Sequence, residues 1–238
     1  SNTASGYKAM TANTTGPLNT AIGYEALTAN TEGARNTAVG YMALVTNTTG
    51  NYQTAVGYHA LYSNTDSYAN VAVGYSTLYA NTEGDNNTAV GYMTMNLNTT
   101  GNLNTALGYY SLDKNTTGDS NVAVGAAAFR YNQDASYNTA VGSHALAGTS
   151  GQYGANDNVA MGYVTMFNTT TGQGNTAIGK EAMYTHTVGD YNVALGRQAM
   201  KGASDADNNV AVGHQSMLTL TTGDTNVAVG TNSLRTLT

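Results

Sequence analysis

The sequence predicts an all-β fold in which short coils stack into a parallel β-solenoid, and three observations support this. A phrase such as Asn36-Thr37-Ala38-Val39-Gly40 recurs fourteen times along the 238 residues. The copies are 17 residues apart, except for one step of 20 between Asn138 and Asn158. Only 9% of the residues are charged, too few for a typical disordered chain. A fixed period indicates repeats that bury their apolar side only against their neighbours.

Residue types fall at fixed coil positions when each coil is numbered from its first Asn. Position 2 is Thr or Val, position 3 is Ala, position 4 is apolar except at Ser5, and position 5 is Gly. Positions 2 to 4 predict a short strand, and positions 6 to 10 predict a second one, for example 41–45. Asn and Gly at positions 11 to 15 predict a turn. We therefore expect about fourteen coils in one domain, 1–238, with a three-residue insertion within 147–157. A helical repeat is disfavoured because no apolar stripe of period 3.6 is present.

The charge pattern predicts which side chains point inward. Lys, Arg, Asp and Glu never occupy positions 1 to 5, 8 or 9. We expect positions 2, 4 and 9 to form the core and the Ala at position 3 to face the other way. Because small residues fill that position in every copy, we expect a second sheet to pack on it, with the Ala face at the shared axis of an oligomer. The alternative is that Ala merely fits a tight bend beside Gly.

Several coil positions predict ladders, in which one residue type stacks in successive coils. The predicted ladders are Asn19, Asn36 and Asn70 at position 1; Ala21, Ala38 and Ala72 at position 3; Gly23, Gly40 and Gly74 at position 5; Tyr24, Tyr41 and Tyr58 at position 6; and Leu27, Leu44 and Leu61 at position 9. A second Asn row occupies position 12 in eight successive coils. Stacked amides and aromatic rings favour a structural role. The alternative for the tyrosines is sugar binding.

The composition excludes several functions. A net charge of -6 and a pI near 4.9 argue against nucleic acid as a partner. The chain has no cysteine, and no apolar run approaches the roughly 20 residues of a membrane span. No nucleophile has an evident base partner, and His59 and His144 lie five coils apart, too far to share a metal. We therefore expect neither an enzyme nor a bound cofactor.

Candidate sites remain in the later coils. Asp190, Asp207 and Asp224 share position 16 and form a weak candidate for calcium, against a solvated edge as the alternative. The insertion supplies a candidate recognition loop, with a neutral insertion as the alternative. Its candidate residues are Ser150, Gln152, Tyr153 and Asn156.

Threonine and asparagine patterns suggest two further hypotheses. Position 13 is Thr in seven successive coils, which suggests an ice-binding row, whereas the threonines at position 2 are expected to point inward. Asn-x-Thr sequons suggest glycosylation, although the same residues are typical of turns. These sequons include Asn13, Asn47, Asn98, Asn115 and Asn168.

The Asn-Val-Ala-Val-Gly phrase at 121–125 resembles the Asn-Ser-Val-Ala-Ile-Gly repeat of trimeric autotransporter adhesin heads, with one residue fewer. The longer phrase Asn-Thr-Ala-Val-Gly-Tyr-x-Ala-Leu-x-x-Asn-Thr-Thr-Gly is similar to arrays in phage tail-fibre-type proteins. The resemblance covers all fourteen units and implies a left-handed parallel β-roll in which three chains wind into one trimer. This chain departs from the pattern in its period of 17 and in lacking a coiled-coil stalk or chaperone.

These features predict a non-enzymatic segment of an extracellular trimeric fibre on a virion or cell surface, a phage tail fibre or an adhesin. It would serve as a rigid shaft and as an attachment surface for a host receptor or glycan. Because the chain opens and stops inside a repeat, we expect a piece of a longer protein. The alternatives are a self-assembling extracellular filament or matrix protein and an ice-binding β-solenoid.

Overall fold

The computed structural model describes residues 1–149, 154–220 and 222–236, and it contains strands and turns but no helix within those ranges. Contacts divide the chain into two compact units, Ser1–Asp119 and Ser120–Thr238. Each unit is a stack of coils that contribute one short strand each to a parallel sheet. The prediction of an all-β parallel solenoid with coils of about 17 residues is confirmed.

The described part of each unit contains seven strands of three residues. The first unit has β1 Thr3–Ser5, β2 Thr20–Ile22, β3 Thr37–Val39, β4 Thr54–Val56, β5 Val71–Val73, β6 Thr88–Val90 and β7 Thr105–Leu107. The second unit has β8 Val122–Val124, β9 Thr139–Val141, β10 Val159–Met161, β11 Thr176–Ile178, β12 Val193–Leu195, β13 Val210–Val212 and β14 Val227–Val229. Neighbouring strands pair in register, so that the same coil positions lie opposite one another. Thr20 lies opposite Thr37, and Ala21 lies opposite Ala38. Every coil position therefore forms a row along the stack.

The alanines at position 3 point into the coil, and the predicted orientation of the strand was wrong. Ala21 is fully buried, whereas Thr20 is half-buried and Ile22 is 44% exposed. From β2 onward, no position-3 alanine is more than 3% exposed. Because side chains alternate along a strand, position 3 shares its face with the Asn at position 1, whose amide lies inside the coil. The chain itself buries the Ala row, so that row is not the oligomer axis that the sequence suggested.

The predicted second strand, at positions 6 to 10, is a turn. Met42 and Leu44 both have a φ of 52°, in the left-handed region, which costs non-glycine residues about 1–2 kcal/mol each. The backbone nitrogens still find partners in adjacent coils, because Met42 donates to Tyr24 O at 2.8 Å and Leu44 donates to Ala60 O at 3.1 Å. Hydrogen bonds to both neighbouring coils replace a strand ladder, and each coil has one strand instead of two.

The core is one row of large apolar residues at position 9 between small residues at positions 3 and 8. The prediction that position 9 lies in the core is confirmed. The largest fully buried side chains are Leu27, Leu44, Leu61, Leu78, Met95, Leu112, Phe129, Leu146, Met166, Met183, Met200 and Met217. With one large side chain per coil, the core is narrow, and stability depends on contacts between coils.

Glycine at position 5 is required by close contact between coils. Gly40 has a φ of 137°, a conformation that L side chains rarely adopt. A Cβ at Gly40 would lie 2.3 Å from the carbonyl oxygen of Gly57 in the next coil. The backbones meet directly at this corner, which explains why no other residue occupies position 5.

Both predicted asparagine ladders are confirmed. At position 1, Asn19 Oδ1 accepts a hydrogen bond from the Asn36 backbone nitrogen at 2.8 Å, and Asn36 Nδ2 donates to Gly50 O at 2.8 Å, closing its own coil. At position 12, Asn47 Nδ2 donates to Asn30 Oδ1 at 2.9 Å. Buried amides satisfied in this way join successive coils without any charge. Three sequon residues, Asn47, Asn98 and Asn115, belong to this ladder and are fully buried, so the folded coil does not expose them for glycosylation.

Candidate functional site

The side chains at positions 2 and 4 of the strands form an outer face on each unit. Because the coils pair in register, this face repeats from strand to strand. Position 4 is largely exposed at Ile22 (44%) and Leu107 (49%) and half-buried at Val39. None of the fourteen strands places a charged residue at either position, although the chain carries eight basic and fourteen acidic residues. The outer face is therefore an uncharged, partly apolar sheet surface.

The two units differ in the chemistry of this face. In the first unit, six of the seven residues at position 2 are threonines, interrupted only by Val71. In the second unit, only Thr139 and Thr176 are threonines, and the other five residues at position 2 are valines. Aliphatic residues occupy position 4 in every strand except β1, which has Ser5. The first unit thus presents a hydroxyl row beside an aliphatic row, and the second presents two rows that are mostly aliphatic.

Threonines elsewhere in the coil use their hydroxyls to hold the stack together. At position 13, Thr31 Oγ1 donates to Thr48 O at 3.2 Å, and the pattern repeats in neighbouring coils. At position 8, Thr77 Oγ1 donates to Gly91 O at 2.7 Å. The row at position 13, from which the sequence suggested ice binding, therefore has a structural role. In the described coils, the hydroxyls at position 2 have no protein partner, and they point outward, contrary to the sequence prediction.

The tyrosines at position 6 form a column, as predicted. From Tyr7 to Tyr109 the ring centroids of successive coils lie 5.0 to 5.5 Å apart, with ring planes within 18° of parallel. Each inner ring has its faces against its neighbours and its edge toward solvent. Because a sugar stacks on an aromatic face, the inner tyrosines cannot bind sugars by stacking. The structural role that the sequence favoured fits this geometry.

His59 lies within an aromatic cluster beside that column. Its ring centroid is 3.9 Å from that of Tyr58 and 4.8 Å from that of Tyr62, with Tyr41 and Tyr79 within 6 Å. Burial lowers the pKa of His59, because the charged imidazolium would lose water contacts there. The ring contacts of His59 are with aromatic side chains on several sides, which favours a packing role for this residue.

The three aspartates at position 16 cap the backbone of the preceding coil. Asp190 Oδ1 accepts from the Gln173 nitrogen at 2.7 Å, and Asp207 and Asp224 repeat the contact at 2.8 Å. Among the described residues, no three His, Cys, Asp or Glu side chains are arranged to hold a metal ion. The geometry gives these carboxylates a structural role and adds no support to the weak calcium candidate.

An ionic cluster that the sequence did not suggest lies in the second unit. Lys201 Nζ lies 2.7 Å from Glu181 Oε2, which also accepts from Gln198 Nε2 at 2.8 Å. These hydrogen bonds from Lys201 and Gln198 lower the pKa of Glu181 to about 2. Gln215 Nε2 donates to Gln198 Oε1 at 2.7 Å and extends the chain of hydrogen bonds into an open groove of about 420 Å³. The coil alignment brings these residues together, since they occupy positions 7 and 10 of consecutive coils.

Only part of the predicted recognition loop lies within the described residues. Ser150, Gln152 and Tyr153 lie outside the described residues. Asn156 is described, and its Oδ1 accepts a hydrogen bond from the Ser136 nitrogen at 2.7 Å, while its Nδ2 donates to Gly154 O at 3.2 Å. Asn156 therefore continues the position 16 row and has a structural role.

The chain matches no protein-family model, no curated protein and no solved structure at a level that would show a family. In the described ranges, no helix is long and apolar enough to cross a membrane.

Proposed function

We propose that this chain is a rigid, non-enzymatic segment of an extracellular fibre, a phage tail fibre or a cell-surface adhesin, that assembles as a left-handed homotrimer. The observation that carries the proposal is the aliphatic outer face of the second unit, which exposes Met161 by 39% and Ile178 by 42% on inner strands and has no charge in any strand. A face that met only water would tolerate Lys or Glu, as the exposed strands of soluble sheets do.

The size of the apolar surface supports assembly through many strands at once. Burying a partly exposed aliphatic side chain contributes about 1 kcal/mol, so the whole face contributes on the order of 10 kcal/mol. Association itself costs roughly 4–15 kcal/mol. One or two strands would not offset that cost, whereas a continuous face contributes free energy of the same order as the cost. This favours partners that lie side by side along the coils.

The ladders supply the stiffness that a shaft needs. Within each unit, backbone hydrogen bonds and the position 1 amides join successive coils, and the position 12 amides and the position 16 caps add further links in some of the coils. Attachment to a host receptor or glycan belongs to the same proposal and is assigned to the insertion around Tyr153.

Light scattering after size exclusion tests the assembly. A chain of 24.6 kDa is expected to give a particle of about 74 kDa, which corresponds to three chains. The substitution Val210→Lys on the outer face is expected to reduce the mass to that of a monomer. Val188→Lys is the matched control, since Val188 is 46% exposed but lies outside the strands.

The alternatives predict other masses. Open-ended particles that grow with concentration would favour the self-assembling filament. A wild-type monomer, or an equal effect of both substitutions, would overturn assembly through the outer face.

A further inference from the structure

The threonines on the outer face of the first unit form a regular polar array that faces solvent. We call Thr3, Thr20, Thr37, Thr54, Thr88 and Thr105 the threonine rank. In-register pairing places neighbouring members at the strand spacing of about 4.8 Å. Val71 is the one interruption.

The hydroxyls of the threonine rank are free to bind an external partner. Threonines at positions 8 and 13 donate to backbone carbonyls, as Thr77 does to Gly91 O and Thr48 to Thr65 O. Among the described residues, no member of the threonine rank makes such a bond, and each is exposed or half-buried. Threonines at positions 8 and 13 thus join neighbouring coils, whereas the outer-face threonines keep their hydroxyls for solvent.

The array is held still by the structure beneath it. Sheets normally twist, but stacked side-chain ladders keep a sheet flat. Behind and beside the threonine rank lie the buried Ala row, the position 1 asparagine ladder and the tyrosine column at position 6. Fixed side chains lose little conformational freedom when they bind an ordered partner.

The surroundings of the threonine rank indicate what that partner is. The adjacent row at position 4 is aliphatic from Ile22 to Leu107, and no charged residue lies at either position. A charged side chain would orient the surrounding water molecules toward itself. Methyl groups do not orient water, and hydroxyl groups can hydrogen-bond to water molecules that are arranged in a lattice. The spacing of about 4.8 Å between neighbouring threonines of the rank is close to a repeat distance between oxygen atoms in the lattice of hexagonal ice. A partner with a flat, periodic surface, such as an ice crystal, needs no recess in the protein surface.

We propose that the outer face of the first unit binds ice, with the threonine rank hydrogen-bonding to lattice water and the position 4 row packing against it. This function is independent of the fibre proposal, which concerns the aliphatic face of the second unit. It goes beyond a shaft role, since it assigns a ligand to a defined surface.

Thermal hysteresis of the full chain, measured with single ice crystals, tests this proposal. Wild type is expected to show hysteresis that rises with concentration. Thr37→Tyr places a bulky ring in the middle of the rank and is expected to reduce hysteresis at least about fivefold. Val71→Thr completes the rank and is expected to increase it.

Thr139→Tyr is the matched control, because Thr139-Ala140-Val141 repeats the Thr37-Ala38-Val39 strand but has valines on either side in its row. It is expected to leave hysteresis unchanged. Circular dichroism melts verify that all variants fold. Wild type without hysteresis, or equal losses in the two tyrosine variants, would overturn the proposal. If the mass measurement shows oligomers and hysteresis is absent, ice binding is wrong while the fibre proposal stands.

Discussion

Replacing Asn81 by alanine tests whether the position 12 ladder holds the coils together. Asn81 Nδ2 donates to Asn64 Oδ1 at 3.2 Å and to Gly84 O at 3.0 Å, and Asn81 Oδ1 accepts from Asn98 Nδ2 at 2.8 Å. All three bonds are buried and would be lost together.

The expected cost follows from these partners. Three hydrogen bonds contribute about 1 kcal/mol each. Gly84 O keeps a bond from Asn70 Nδ2, so only one N–H of Asn98 is left unsatisfied in the core, at about 1–3 kcal/mol. Asn81→Ala is therefore expected to lower the free energy of unfolding by about 4–6 kcal/mol, enough to separate the unfolding of neighbouring coils.

Urea unfolding followed by circular dichroism measures this effect. The matched control is Asn96→Ala, because Asn96 is half-buried and makes one bond, to Ser76 O at 3.0 Å. It is expected to cost about 1 kcal/mol. If Asn81→Ala and Asn96→Ala lower the free energy of unfolding equally, the ladder bonds stabilise the fold no more than the single bond of Asn96 does, and the reasoning is refuted.

Three further predictions concern single residues. Gly57→Ala brings a Cβ within 2.1 Å of a carbonyl oxygen in the next coil. It is expected to prevent folding or to lower the melting temperature by more than about 10 °C. Gly154→Ala is the control: the new Cβ has no atom within 4 Å, and the substitution is expected to lower the free energy of unfolding by about 1 kcal/mol. Burial lowers the pKa of His186, so the unfolded chain takes up the proton first as pH falls below about 6.5, and wild type loses stability there. His186→Asn is expected to reduce that loss in melts between pH 5 and 7, and the part that remains is expected from His59, whose pKa burial also lowers. The pKa of Glu181 is lowered to about 2, so its ion pair stabilises the fold fully above about pH 4.5, and this stabilisation is lost as pH falls toward 2. Glu181→Gln is expected to flatten the dependence of the melting temperature on pH over that range.

The sequence predicted the period, the strand at positions 2 to 4, the apolar row at position 9 and the ladders, because each is a repeated local pattern. The direction of the strand was missed, since charge is absent from both of its faces. The asparagine at position 1 carried the necessary information. A ladder of buried amides must point inward, and alternation then turns Ala38 inward as well.

The second strand was missed for a different reason. Leucine strongly disfavours the left-handed conformation, yet Leu44 adopts it because contacts with neighbouring coils outweigh the local preference. The Glu181 cluster requires the alignment of consecutive coils. The outward threonine rank depends on the strand direction, so it was visible only once that direction was known.

Thiol labelling of single cysteine variants tests the central claim, the orientation of the strand, most directly. The chain has no cysteine, so each variant carries one reporter. Cysteine at Thr54 or Val56 is expected to react with a maleimide in the folded protein, whereas cysteine at Ala55 reacts only after unfolding, since that position is fully buried. Rapid labelling at Ala55 together with protection at Thr54 and Val56 would contradict the account.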